Sequence, residues 1–210
     1  MDTTSVKTSH RHRSDRVWHA VERCIAAGMI VTLSPVIAIL AFIIKLESRG
    51  PVLFRQTRRG MGGAEFHALK FRSMNVGAER HTRLGVTGNS SRITRVGRVI
   101  RATKLDEIPQ LWNIVIGQMR FVGPRPLPKA LDEALERQIP GFTLRYQVYP
   151  GLTSLAQVCV SDNQVGEHLI ADWSARFEVE RRSMQHRGPV YDLVVIALTA
   201  AYVVRKAVMR

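Results

Sequence analysis

Twenty-one consecutive residues without a charge, Cys24 to Ile44, constrain this chain more than any other feature. As one α-helix the run is about 31 Å long, enough to cross the hydrocarbon core of a bilayer. A simple transmembrane helix is the first reading. A cleaved signal peptide fits less well, because the run is too long and lacks a convincing small-residue cleavage site. Two features point to a different geometry. Ser34-Pro35 falls in the middle, and proline removes a hydrogen bond to the preceding turn and disfavours helix at the residue before it. The run is therefore predicted to kink or break at Ser34 and Pro35, leaving halves of about 15 Å. Both flanks are also basic, with Arg11, Arg13, Arg16 and Arg23 before and Lys45, Arg49, Arg55, Arg58 and Arg59 after. Positive flanks are retained on the cytoplasmic side. A helix that enters and leaves on one face satisfies both facts. The sequence thus divides into a basic arm at 1–16, a re-entrant membrane helix at 17–46 and a cytoplasmic domain at 47–210. The arm reads as disordered or as the start of an interfacial helix.

The chemistry is expected between Gly97 and Pro126. Asp106 and Glu107 stand side by side there, with Arg101 and Lys104 before them and Arg125 after, between two prolines. Ile108 to Ile116 is largely apolar and reads as a helix, and Pro109 confines its start to the first turn. The two acids then lie at or near a helix N-terminus, where free N–H groups favour carboxylates and phosphates. Such acids commonly only cap the helix. The cations around them and the motif Gly123-Pro124-Arg125-Pro126 favour chemistry, because they supply phosphate ligands beside an acid able to bind a metal or act as a nucleophile.

The net charge of +14 is not evenly spread. Residues 45–126 hold sixteen Lys and Arg against five Asp and Glu, a surplus of +11. This suits anionic lipid, nucleotide phosphates or nucleic acid. Aromatic residues make up 7% and do not interleave with the basic ones, which speaks against base stacking on nucleic acid. Cys24 and Cys159 form neither a metal spacing nor a disulfide framework.

The remaining segments organise around these two. Val52–Gln56 and Glu65–Phe71 flank Gly60, Gly62 and Gly63 and predict a β-hairpin. Strand alternation would place Lys70 and Arg72 on one face, either as plain surface charge or as one wall of a phosphate site. Gly77–Ser91 reads as a loop able to act as a lid. Arg92, Arg95, Arg98 and Arg101 recur at helical spacing, on a face turned either to solvent or to anionic headgroups. Leu127–Gln138 and Asp172–Arg187 read as helices. Leu193–Val204 is apolar but short for a span, and reads as a core helix or an interfacial one.

Several stretches together resemble the bacterial sugar transferase family, the monotopic polyprenyl-phosphate phosphoglycosyl transferases. They are Lys104-Leu105-Asp106-Glu107-Ile108-Pro109-Gln110-Leu111-Trp112-Asn113, Phe121-Val122-Gly123-Pro124-Arg125-Pro126, Gly50 to Gln56, Lys70 to Met74, and Pro150 to Val158. The last stretch departs from the family's usual form, with Ser154 in place of a glycine and Cys159-Val160-Ser161-Asp162 after it. The resemblance implies a helix-rich α+β fold, with a compact cytoplasmic domain, a re-entrant anchor and interfacial helices, as a minimal catalytic unit at the bacterial inner membrane. It implies transfer of a sugar 1-phosphate from a UDP-sugar to polyprenyl (undecaprenyl) phosphate, releasing UMP and initiating a surface glycan. Asp106 would be the nucleophile, with Glu107 as a metal-binding or orienting partner and Mg2+ as cofactor. Arg101, Arg125, Lys70 and Arg72 would hold phosphates, and metal and arginines would lower the pKa of Asp106. A glycosyltransferase releasing UDP, or a basic membrane or nucleic-acid binding module, are the competing readings.

Overall fold

The computed structural model describes residues 3–77, 92–160 and 169–208, with side chains described for 15–77, 92–160 and 169–205. The expected lid and the Ser161-Asp162 departure lie outside the described residues, apart from Gly77. The chain is helix-rich α+β, as expected. Helix α1 (Thr3–Glu47) carries the apolar run and extends back through the segment read as an arm. It is helical through Ser34-Pro35 without interruption, so of the expected kink or break the break does not occur. The physical reason is local. Pro35 has no N–H to give the Val31 carbonyl one turn earlier, but the Ser34 hydroxyl donates to that oxygen at 2.7 Å. The orphan acceptor is satisfied, and the helix continues.

One stripe of α1 is anchored along its length. Ala26, Ile30 and Leu33 join a core with Leu111, Ile114 and Met119. Ile37, Leu40, Ala41 and Ile44 join another with Phe71 and Ile100. These positions recur every three or four residues, as one helix face must. The opposite face leaves Ile25, Val31, Ile39, Phe42 and Leu46 exposed. The Asp15–Glu47 part is the described helix long and apolar enough to cross a membrane.

Strands β1 (Leu53–Arg59) and β2 (Glu65–Phe71) pair antiparallel, from Leu53 opposite Phe71 to Arg59 opposite Glu65. The expected glycine turn is a 3₁₀ turn at Met61–Gly63, with Gly62 and Gly63 at φ 67° and 75°. Phe66 and Ala68 face helix α3 (Gln110–Val115). The free edge of β2 is closed by a single side chain. Asn113, fully buried, accepts from the Leu69 N–H at 3.0 Å and donates to the His67 carbonyl at 2.8 Å. Its amide stands in for a neighbouring strand's peptide group.

Helix α2 (Arg95–Ala102) lies between these layers, capped by Thr94, whose hydroxyl accepts from Gly97 N. Strand β3 (Arg120–Val122) runs parallel to β4 (Gly151–Thr153), after a crossover through helix α4 (Lys129–Gln138). The two strands close tightly at their ends. A Cβ on Gly151 would lie 2.1 Å from Gly123 N, so only glycine fits. Helices α5 (Leu155–Cys159), α6 (Leu169–Gln185) and α7 (Pro189–Val208) complete the chain. A second core gathers Leu131, Leu135 and Ile139 with Phe142, Trp173 and Phe177. Helix α7 buries Val195 and exposes Val190, Leu193 and Val194.

Candidate active site

Lys104 fixes the start of the site. It sits in the left-handed region at φ 61° after α2, where a non-glycine residue is uncommon. The chain there turns into a 3₁₀ turn at Leu105–Glu107, and Pro109 precedes α3. Asp106 and Glu107 therefore lie on the turn before the helix. Four of the local amides are used internally. Glu107 N and Ile108 N donate to the Lys104 and Leu105 carbonyls, and Leu111 N and Trp112 N donate to Ile108 and Pro109. These four are not free to hold an anion, and charged side chains surround the acid pair.

Those side chains form a tight ion cluster. Glu107 Oε1 accepts from Lys70 Nζ at 2.9 Å and from Arg125 Nη2 at 2.6 Å, and Oε2 accepts from Arg125 Nη1 at 3.4 Å. The Arg125 fork grips one carboxylate with two nitrogens, as a planar guanidinium does. Arg125 Nη1 also donates to Gln157 Oε1 at 3.4 Å. Arg58 is buried behind it, donating to the Pro126 carbonyl and, at 2.8 Å, to Gln56. Burial works against the Glu107 charge, but Arg125 and Lys70 outweigh it and hold the carboxyl well below the usual range. Burial pushes Lys70 down to about 8 against the pull of Glu107, with Arg125 and Arg58 adding to the fall. Burial also lowers Arg58 to about 9, reinforced by Arg125.

Asp106 differs from its neighbour. It is 7% exposed, and has no hydrogen-bond or ion-pair partner among the described residues. Burial pushes its pKa up, with Glu107 reinforcing the rise and Lys70, Lys104 and Arg101 opposing it. The expectation that nearby cations lower this pKa is reversed, because Glu107 absorbs the closest of them and desolvation dominates. Arg101 contributes its charge from the last turn of α2 and lies 3.7 Å from the Met74 sulfur.

Arg72 leaves the site. Strand β2 ends at Phe71, and the Arg72 guanidinium donates to the carbonyls of Ser48 at 2.6 Å, Arg49 at 3.2 Å and Ile44 at 3.4 Å. It caps the C-terminus of α1, whose last carbonyls need donors and favour a cation. Lys70 and Arg72 therefore do not share a wall. A groove of about 360 Å³, lined by Arg55, His67, Trp112 and Ile116 among others, also lies apart from Asp106 and Glu107.

The donor set suits a magnesium ion held partly by substrate. No group of three or more His, Cys, Asp or Glu able to hold a metal exists among the described residues. Magnesium usually takes one or two carboxylates and completes its shell with water and phosphate oxygens. Asp106 has no hydrogen-bond or ion-pair partner among the described residues, while Glu107 is occupied by Lys70 and Arg125. Sequence reading did not single out Arg58, Gln157, Arg145 or Glu180, all of which touch Arg125 or its loop. Their contacts span 20 to 68 positions of sequence, beyond any local pattern.

Comparison with known proteins gives the same direction. A family model described as bacterial sugar transferase matches residues 14–206. The UDP-glucose:undecaprenyl-phosphate glucose-1-phosphate transferase of Caulobacter vibrioides is 47% identical over 135 residues, 64% of this chain and 51% of that protein. Its namesake in Escherichia coli K12 is 43% identical over 187 residues, 88% of this chain and 40% of that one. A putative undecaprenyl-phosphate N-acetylgalactosaminyl 1-phosphate transferase of Bacillus subtilis is 38% identical over 146 residues, 68% of this chain and 78% of its own. The chain spans about half the length of the first of these and less of the second. Since the family match runs through the anchor, the ion cluster and α7 alike, the chain belongs to the bacterial sugar transferase family.

Proposed function

We propose that this chain is a phosphoglycosyl transferase that moves a sugar 1-phosphate from a UDP-sugar to undecaprenyl phosphate and releases UMP, with Asp106 as a covalent nucleophile. The observation that carries this reading is the asymmetry of the acid pair. Glu107 is locked by Lys70 and Arg125, while Asp106 beside it is buried and has no hydrogen-bond or ion-pair partner among the described residues. The names of the relatives, which specify sugar-phosphate transfer to undecaprenyl phosphate, support it. An Asp106 oxygen attacks the phosphorus that bears the sugar. The bond from that phosphorus to the bridging oxygen breaks, and UMP leaves with the electron pair. An acyl phosphate carrying the sugar remains. A phosphate oxygen of undecaprenyl phosphate then attacks the same phosphorus, and the Asp106 oxygen is freed as carboxylate.

Arg125, Lys70 and Arg101 supply the positive field that lets a carboxylate approach a diphosphate. Glu107 holds the first two in place and keeps Lys70 beside the pair. A magnesium ion held by Asp106, with Glu107 as a neighbouring acid, would neutralise charge on the diphosphate. Burial raises the pKa of Asp106, which makes it a stronger nucleophile once ionised.

The anchor is re-entrant in this proposal, with α1 bending at Pro35 while its helical pattern continues, and with residues 47–210 on the cytoplasmic face of the inner membrane. Glu22 and Ile44 are separated by about 33 Å of helix, longer than the hydrocarbon core. Yet Glu22 is buried against Arg120 and Ile44 against Phe71, both in the same domain. A crossing helix would put one of those contacts on the far side. The exposed apolar face of α1, with Val190, Leu193 and Val194 of α7, would meet lipid, and the arginines of α2 would meet anionic headgroups. Single cysteines at Arg16 and Ser48, in a protein lacking Cys24 and Cys159, test this. Labelling of both from the cytoplasmic side is expected, and labelling from opposite sides would overturn it.

The chemistry is tested by incubating the protein with labelled UDP-sugar and no lipid. UMP and a sugar-phosphate adduct on Asp106, seen by mass spectrometry, are expected. UDP release would instead identify a glycosyltransferase. Intersecting-line kinetics without adduct would reduce Asp106 to a metal ligand.

A further inference from the structure

The stretch that presents Arg125 is short of backbone hydrogen-bond donors. Pro124 and Pro126 have no N–H, so the Arg125 amide is the only one the three residues carry. The β3–β4 ladder ends just before it, with Gly123 N donating to the Thr153 carbonyl and Gly151 N to that of Pro124. Side chains take over from there. Arg125 N–H donates to Glu180 Oε1 at 3.2 Å, and the Arg125 carbonyl accepts from Arg145 Nη2 at 2.7 Å. Arg145 and Glu180 also pair with each other at 3.1 Å. One ion pair therefore holds both main-chain groups of the residue whose fork grips Glu107.

Sequence and packing both indicate that this pair is there for more than burial. Trp173, Arg176, Phe177 and Glu180 form the buried stripe of α6 at spacing i, i+3, i+4, i+7. A stripe of that kind normally buries apolar residues, and well-packed apolar residues are often as stable as a buried ion pair or more so. Glu180 and Arg145 are 3% and 4% exposed. The Arg145 guanidinium is fixed further by Asp132 at 3.5 Å and by the Phe142 ring, 4.7 Å from the centroid. Asp132 accepts from the Tyr146 hydroxyl at 2.6 Å. A wall of fixed charges from α4, the 3₁₀ turn Phe142–Gln147 and α6 thus ends on one backbone unit of the site.

We propose that Arg145 and Glu180 are positioning residues for the transfer, locking the Arg125 backbone so that its fork stays aimed at the reacting phosphate. This role rests on the functional reading above, whereas the clamp on the backbone does not. Neither residue touches substrate; both act through Arg125.

The test uses the full chain with two readouts. Glu180→Gln keeps an acceptor for the Arg125 amide but loses the charge opposite Arg145, and Glu180→Ala loses both. Amide exchange over residues 121–127, read by mass spectrometry, should speed up in the order wild type, Gln, Ala. Unchanged exchange in both variants would overturn the clamp. The rate of UMP release should fall about tenfold in Glu180→Ala and less in Glu180→Gln. In a double-mutant cycle, Glu180→Ala should add less than about twofold on top of Arg125→Lys. Full additivity would overturn the positioning role, because a purely structural effect lowers both backgrounds alike. If the Ala variant fails to fold, the near-isosteric Gln variant carries both comparisons. Glu178→Gln is the control, since Glu178 pairs only at the surface with Arg181 and Arg182 and should change neither readout. Wild-type protein that releases no UMP from any UDP-sugar would overturn the functional reading and with it the kinetic role. Exchange would still decide the clamp.

Discussion

Two buried charge clusters are built as mirror images. In the N-terminal half of α1, one cation, Arg120, is shared by three acids, with the buried Arg187 nearby. Arg120 reaches Glu22 and Asp15 at 2.5 Å each and Asp192 at 3.6 Å. At the site, a single acid, Glu107, is shared by Lys70 and Arg125, with Arg58 behind them. The first cluster partners every acid. Glu22 also accepts from Phe121 N, Asp192 accepts from Trp18, and each carboxylate has a protein partner. The second has a cationic surplus and, among the described residues, leaves Asp106 without one. Burial raises the pKa of Glu22 and Asp192, whereas Glu107, outnumbered by cations, is held far below its usual value. A cluster with every acid partnered ties elements together, here α1 to β3 and α7. A cluster with surplus positive charge beside a carboxylate like Asp106 suits the polyanionic substrate of the proposed reaction.

The sharpest way to break this comparison is to remove the Asp106 carboxylate. Asp106→Asn keeps the shape and forms no adduct. UMP release should fall about a thousandfold or more, with little change in thermal unfolding, because no hydrogen bond or ion pair to a described residue is lost. A large stability loss with retained activity would reverse the two assignments. The closed cluster should respond the other way. Arg120→Met strands Glu22 in the interior, and breaking a buried pair by removing one partner costs about 3–5 kcal/mol. A melt in detergent should show that loss. Activity per folded molecule should change little, because Arg120 has no contact with the acid pair.

What the sequence made legible in these clusters follows from distance along the chain. The hairpin, the acid pair before α3 and the apolar run each declare themselves within about ten residues, through alternation, turn glycines and Pro109. Lys70 and Arg125 were found from their motifs. Arg72 was misplaced because strand alternation was carried one residue past the strand's end. The helix break at Pro35 was overstated because the compensating hydroxyl of Ser34 is a matter of rotamer rather than residue pattern. Glu22 and Arg120 meet across 98 positions, and Arg125 and Glu180 across 55. In sequence each reads as an ordinary charge on the polar face of a helix or strand. Only burial distinguishes them. Glu180 alone left a trace, as an acid at i+7 in the stripe begun by Trp173.

Arg125→Lys tests the geometry of the open cluster rather than its charge. Lysine keeps the cation but loses the fork that spans both Glu107 oxygens. The transfer rate should drop about tenfold, equivalent to about 1.4 kcal/mol. Wild-type rates would mean that the cluster needs only net charge.

The smallest effect is a pH dependence, and it falls on the open cluster through Lys70. Burial holds Lys70 at about 8, below the 10.5 of a free lysine. As pH rises through about 8 the side chain loses its proton, the cationic surplus shrinks, and phosphate binding weakens. Release of UMP should decline roughly twofold between pH 7 and 8 and more steeply above. The sign for stability is opposite. Between about 8 and 10.5 the unfolded chain holds a proton on Lys70 that the folded chain has lost. Folding stability from this group therefore rises with pH across that window. Activity falling while the melting temperature holds or rises is the expected signature. Lys70→Arg removes the titrating group and should shift the alkaline limb of the rate profile upward by a unit or more. If that limb stays at pH 8 in the Arg variant, another group sets it, and the surplus charge at the site does not depend on Lys70.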